Sequence, residues 1–150
     1  MRLGCTPGVL YHESLPQREV VQMIIDAGAN ALELSQDTPG LFLDDPTTLP
    51  LELMGHFEHV SLHAPSFTKH PERAEALLGA IAEIHRMHPL GYVVVHPNVI
   101  DDLERLRNPG FPVAFENMDV RNTAFITPRE MRDLLDAFPQ AGMVLDVNHV

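Results

Sequence analysis

Short apolar runs bounded by turn residues recur along the chain at 2–6, 30–34, 59–63, 92–96, 112–116 and 142–146, one every 20–33 residues or roughly so. The segments between them carry helical signals. A chain that alternates strand and helix at this spacing builds βαβ units, and those units stack their strands in parallel. The runs at 92–96 and 112–116 are almost continuously apolar up to their last residue. That pattern belongs to parallel strands covered on both faces, and it predicts an α/β fold.

Local punctuation agrees with this reading. Helix is expected at 15–27, with Ser14 as its cap, Gln17 three residues on and Gly28 as its stop. Short helices are expected at 50–58 and 100–106. Pro71 stands in the first turn of a longer helix at 71–88, whose Leu77, Leu78, Ile81 and Ile84 share one face. The run Thr127-Pro128-Arg129-Glu130 is a capping box with proline at the first helical position, opening a helix that reaches about Phe138. No low-complexity tract or linker interrupts the 150 residues, which read as one domain.

Composition narrows the function. A 45% hydrophobic and 21% charged chain is that of a folded soluble domain. No apolar stretch approaches the ~18 residues of a membrane span, and the first residues lack the pattern of a signal peptide, so a cytoplasmic protein without membrane partners is expected. The single cysteine, Cys5, excludes a disulfide framework and a CxxC zinc site, and reads as a small core residue of strand one. The net charge of −11, with Lys69 as the one lysine, argues against a broad nucleic-acid surface. Nine histidines are the unusual feature.

Side chains alternate faces along a strand, so each strand's polar residues can be assigned a side. Ser61 and His63 share a face in strand three, His96 goes with Val94, Glu116 with Ala114, and Asp146 with Val144, while Glu33 lies near the end of strand two. All stand at or near the carboxyl ends of their strands. A covered strand has no structural need for imidazole or carboxylate there, because an unpaired buried charge is costly. The carboxyl end is also where ligands bind, both in a (β/α)8 barrel and in an open doubly wound sheet. His63, His96, Glu116, Asp146 and His149 form a nitrogen and oxygen set suited to zinc, manganese or iron. Glu33 is either a substrate or outer contact of that set or a buried ion-pair partner. His12, in the loop after strand one, opens on the same rim. His56, His59 and His70 read as loop or edge residues, and His85 and His88 as surface or capping residues of the 71–88 helix.

The motifs Leu62-His63-Ala64-Pro65, Val95-His96-Pro97, Phe115-Glu116-Asn117-Met118 and Leu145-Asp146-Val147-Asn148-His149 resemble, in order, the metal-binding strand ends of the xylose isomerase-like TIM barrel superfamily. Leu3-Gly4-Cys5-Thr6 and Ala31-Leu32-Glu33-Leu34-Ser35 are similar to its first two strands. The superfamily holds sugar isomerases and epimerases together with apurinic endonucleases of the endonuclease IV type. The resemblance implies a (β/α)8 TIM barrel, of which this chain offers about six parallel βα units. A whole barrel takes about 250 residues, so completion by a further C-terminal portion or a second copy is expected.

In the isomerase branch, Glu116 and Asp146 would hold one Mn²⁺- or Mg²⁺-like ion, and His149 would meet substrate. In the endonuclease branch, His63, His96 and Glu116 would hold one zinc ion, Glu116 would bridge to a second bound by Asp146, and His149 would serve a third. The catalytic residues implied are Glu116 and His149, with Glu33, Asn117 and His12 toward substrate. Ser66 and Asn98 stand where the endonuclease pattern has tyrosine and glycine, and the loops after strands four and five are short. The favoured expectation is therefore a metal-dependent isomerase or epimerase acting on a sugar or sugar phosphate. A zinc phosphodiesterase acting on nucleic acid and an inactive partial barrel are the alternatives.

Overall fold

The computed structural model describes residues 2–7, 15–35, 49–68 and 71–149. Six strands form one sheet: β1 (Gly4–Cys5), β2 (Ala31–Ser35), β3 (His59–His63), β4 (Tyr92–Val95), β5 (Val113–Glu116) and β6 (Gly142–Val144). Every adjacent pair is parallel, and the spatial order is the sequence order from β1 to β6. An order without reversal has no topological switch point, which separates this α/β sheet from the doubly wound alternative. Three α-helices are described, α1 (Gln17–Asp26), α2 (Ala74–Met87) and α3 (Pro128–Ala137).

The register fixes which side chains share a face. Leu32 stands beside Val60, Leu62 beside Val93, Val93 beside Val113, and Val95 beside Phe115. These residues and their alternates Leu34 and Leu62 form one core with Val20, Val21 and Ile24 of α1, Leu77, Ile81 and Ile84 of α2, and Met131 and Leu134 of α3. The helices therefore cover one face of the sheet. Ala31, Val94 and Ala114 are buried but lie outside that core, on the opposite face. Glu33, Ser61, His63 and Glu116 share this second face with them.

Helix ends follow from the sequence. Gly28, at φ 79°, ends α1 in a Schellman motif: its N–H reaches the Ile25 carbonyl at 2.9 Å, and the Ala29 N–H reaches that of Ile24 at 3.3 Å. The N-cap of α1 is Pro16, and the expected cap Ser14 lies outside the described residues. Gln17 instead donates its amide to the Ser35 carbonyl at 2.7 Å, tying α1 to the end of β2. The capping box of α3 forms as expected, with Thr127 Oγ1 accepting from Glu130 N–H and Glu130 accepting from Thr127 N–H at 2.9 Å. The Phe138 ring, just past this helix, meets Phe115 of β5 edge-on at 5.5 Å, and the Arg107 guanidinium lies 4.7 Å from the Phe138 centroid.

Some expectations are corrected. The short helices near 50–58 and 100–106 are 3₁₀ turns at Leu51–His56 and Leu103–Leu106, and Pro71–Arg73 is a further 3₁₀ turn before α2. Cys5 is exposed rather than buried, because β1 is a two-residue edge strand. His96 and Asp146 lie one and two residues beyond β4 and β6, so they project from strand exits. No helix among the described residues is long and apolar enough to cross a membrane.

Candidate metal centre

The second face of the sheet delivers its polar side chains to one end. Glu33, His63, His96, Glu116, Asp146 and His149 line a single cleft of about 520 Å³ at the carboxyl ends of the strands. They arrive from five adjacent strands, β2 to β6, the last supplying both Asp146 and His149. Ser35 and His63 are paired in the ladder, as are His63 and Val94, and His96, two residues on from Val94 and just past β4, brings its Nε2 to 3.3 Å from that of His63. Glu116 closes β5, and the turn Val147–His149 returns His149 over it.

Glu116 sits at the centre, 6% exposed. His96 Nε2 is 3.3 Å from Glu116 Oε1, His63 Nε2 is 3.6 Å from Oε2, and the two imidazole Nε2 atoms are 3.3 Å apart. On the other side, His149 Nδ1 is 3.6 Å from Glu116 Oε1, and His149 Nε2 is 3.5 Å from Asp146 Oδ2. Two triads result, His63–His96–Glu116 and Glu116–Asp146–His149, each with its ligand atoms within 4.8 Å of one another. Both use Glu116.

The fit to a metal ion can be tested on these separations. Ligands 2.0–2.1 Å from a tetrahedral zinc ion stand about 3.3–3.4 Å from one another. The first triad has nearly that spacing before any ion is considered. Its chemistry also fits, since His63 Nδ1 lies 3.2 Å from the Ala64 carbonyl, an arrangement that holds the proton on Nδ1 and leaves the Nε2 lone pair facing the cleft. The residues present suit a divalent cation.

The electrostatics is that of a carboxylate confronting histidines. Burial acts to raise the Glu116 carboxyl, but hydrogen bonds from His63 and His96 and the charge of both rings outweigh it and hold the group at about 2. Burial acts to lower His63, yet the Glu116 hydrogen bond and the Glu33 charge prevail and raise it. Glu33 is raised, chiefly by desolvation, against the opposing charge of His63. Its Oε2 accepts from Ser61 Oγ at 3.4 Å. Two carboxyls in one cleft thus have pKa values pushed in opposite directions.

Of the expected site residues, the structure brings six into the cleft. His12 lies outside the described residues. Asn117 is 4% exposed, and both its amide atoms are engaged with the main chain of Asp146, at 2.8 and 3.1 Å. His85 accepts from Leu90 N–H at 3.0 Å beyond α2, as a capping residue would. Sequence reasoning passed over Asp119 and Arg121, paired on the loop after β5. Asp119 lies at about 2, chiefly through Arg121, and the charge of His149 contributes. The signal available was position alone, three residues past Glu116.

No protein-family model matches the chain, and no curated protein matches it significantly.

Proposed function

We propose that the six parallel βα units are those of a xylose isomerase-like (β/α)8 barrel, and that the chain belongs to a divalent-metal-dependent isomerase or epimerase of sugars or sugar phosphates. The observation that supports it is the convergence of Glu33, His63, His96, Glu116, Asp146 and His149 in one cleft at the strand ends. The sequential, all-parallel strand order is that of barrel winding. Glu116, with Asp146 and His149 on one side and His63 and His96 on the other, would hold Zn²⁺, Mn²⁺ or Mg²⁺. Such an ion polarises a carbonyl and makes the proton on the neighbouring carbon easier to remove.

The chain's own residues supply the rest. Glu116, ionised across the working pH range, anchors the cation and has its carboxylate at the cleft floor, where it can accept a proton. His149, on its return turn, faces the same space and meets the substrate. Glu33, whose Oε2 accepts from Ser61 Oγ, lines the same cleft, where a substrate hydroxyl can reach it.

A second reading is favoured by the two triads sharing one carboxylate, an arrangement suited to a pair of zinc ions acting on a phosphodiester as in the endonuclease IV type. Net charge of −11 opposes a duplex partner. One experiment separates the readings. The metal-loaded protein is incubated with a panel of aldoses, ketoses and their phosphates in deuterium oxide, and beside it with an abasic-site oligonucleotide. Deuterium entering the carbon next to the carbonyl, and abolished by a chelator, is the expected result. Strand incision without exchange would replace the isomerase with the phosphodiesterase, and neither activity in a metal-loaded protein would leave a cation-binding partial barrel.

A further inference from the structure

Asn117 follows the central carboxylate, yet it does not face the cleft. In a parallel ladder the N–H of Asn117 donates to Val144, as it does here at 3.4 Å, and the next rung would run from the Asp146 N–H to the Asn117 main-chain carbonyl. The structure alters that rung. Asp146 N–H donates to Asn117 Oδ1 at 2.8 Å, and Asn117 Nδ2 returns a hydrogen bond to the Asp146 carbonyl at 3.1 Å. The side-chain amide thus clips the main chain of Asp146 two residues beyond the end of β6. The Asn117 main-chain carbonyl, relieved of the rung, accepts from His149 Nδ1 at 2.8 Å.

The consequences reach both ligands of the second triad. Asp146 opens the turn that carries His149: its carbonyl accepts from His149 N–H at 3.2 Å, and its Oδ1 accepts from Asn148 N–H at 2.7 Å. Oδ2 is thereby the oxygen left toward His149 Nε2. A proton held on His149 Nδ1 by the Asn117 carbonyl leaves the lone pair on Nε2, the nitrogen that faces Asp146. Among the described residues, no hydrogen bond ties His63 or His96 to Asn117. Those two rings come from β3 and the exit of β4, and His63 is oriented by the Ala64 carbonyl.

We infer that Asn117 is a positioning residue, a clip between strand exits that sets Asp146 and His149 as one cation half-site while leaving the His63–His96–Glu116 half-site to form without it. The inference rests on the metal-binding reading above. It replaces a direct substrate contact for Asn117, whose amide nitrogen and oxygen both turn to the main chain of Asp146 and whose side chain is buried. The two half-sites therefore fill in separable steps: zinc enters the His63–His96 side, already near tetrahedral spacing, with or without the clip, and the Asp146–His149 side binds more weakly once the clip is lost.

The test is a zinc titration followed by elemental mass spectrometry and calorimetry on the wild-type chain, Asn117→Ala and Asn117→Asp, each checked by circular dichroism. The wild type is expected to take two ions in separable steps. Asn117→Ala should keep the first step within about two-fold and weaken the second by about 10–100-fold, the usual cost of losing a residue that orients a ligand. Asn117→Asp, which keeps the acceptor for Asp146 N–H, should recover part of the second step. Two ions held as tightly by Asn117→Ala as by wild type, or both steps weakened alike, would overturn the proposal. Should the variants fail to fold, the histidine tautomers of the wild type decide by nitrogen-resolved nuclear magnetic resonance. His149 carrying its proton on Nδ1 is expected, and a proton on Nε2 would overturn the clip. A wild type that binds no ion defeats the metal reading itself, and the tautomer still judges Asn117.

Discussion

A single carboxylate joins the two halves of the candidate centre, so substitutions at this scale should separate cleanly. Glu116→Gln keeps the shape and removes the charge that both triads use, and it should abolish tight binding of either ion. His63→Ala should remove one ion and spare the Glu116–Asp146–His149 side, as read by zinc stoichiometry. Protonation gives a second measurement, made on the metal-free chain in chelator. Glu116 is held at about 2 against an ordinary 4.5, so its contribution to stability is present above 4.5 and is lost as pH falls toward 2. His63 is raised above 6.5, so its contribution is complete below 6.5 and is lost as pH rises through the raised value. Glu33, raised from 4.5 mainly by desolvation, costs stability progressively as pH rises from 4.5 toward its raised value, beyond which the cost is complete. The urea midpoint of the metal-free chain should therefore be higher at pH 5.5 than at pH 8, and His63→Ala should flatten that difference. Added zinc should reverse the trend, because protons compete with the ion for His63. A wild-type midpoint that rises from pH 5.5 to 8 in chelator would contradict this electrostatic picture.

At the scale of elements, what was legible in the sequence was what short-range rules dictate. Strand parity paired Ser61 with His63 and Ala114 with Glu116, because a two-residue period needs no knowledge of the partner strand, and the register of the sheet then brings both pairs to one face. The Thr127–Glu130 box and the Gly28 stop were readable for the same reason. The rest depended on neighbours. Cys5 looked like core, but whether a strand is covered depends on its place in the sheet, and β1 is an edge. The work of Asn117 arises only from the register between the exits of β5 and β6, which no local pattern encodes. A helix whose start is fixed locally should also fail locally. Thr127→Ala removes the hydroxyl that accepts from Glu130 N–H, and the general cost of losing such an N-cap is about 1 kcal/mol. Because α3 packs on the face of the sheet opposite the cleft, zinc stoichiometry should not change. A lowered urea midpoint with unaltered metal content is expected, and loss of the metal would mean that α3 reaches the centre after all.

The sheet as a whole is unevenly covered. In one row of the face toward the helices, Val95 and Phe115 are buried, whereas Met143 beside Phe115 is 45% exposed and Leu145, two residues on, is 61% exposed. β6 is also an edge strand, so its outer side offers unpaired main-chain groups along a parallel strand flanked by apolar side chains. Those two properties favour pairing with another chain. The net charge of −11 acts the other way, since like-charged molecules repel until salt screens them within about 8–10 Å at 0.1–0.15 M. For these 150 residues alone, the balance predicts a chain that is monomeric in low salt and self-associates as salt is added, with the apolar edge as the contact. Met143→Lys places a charge on that edge without touching Glu116, Asp146 or His149, and it should shift the onset of association to higher concentration at every salt. Sedimentation velocity between 20 mM and 500 mM sodium chloride reads both effects. Association that weakens with salt would assign the contact to opposite charges instead, and Met143→Lys would then leave it unmoved.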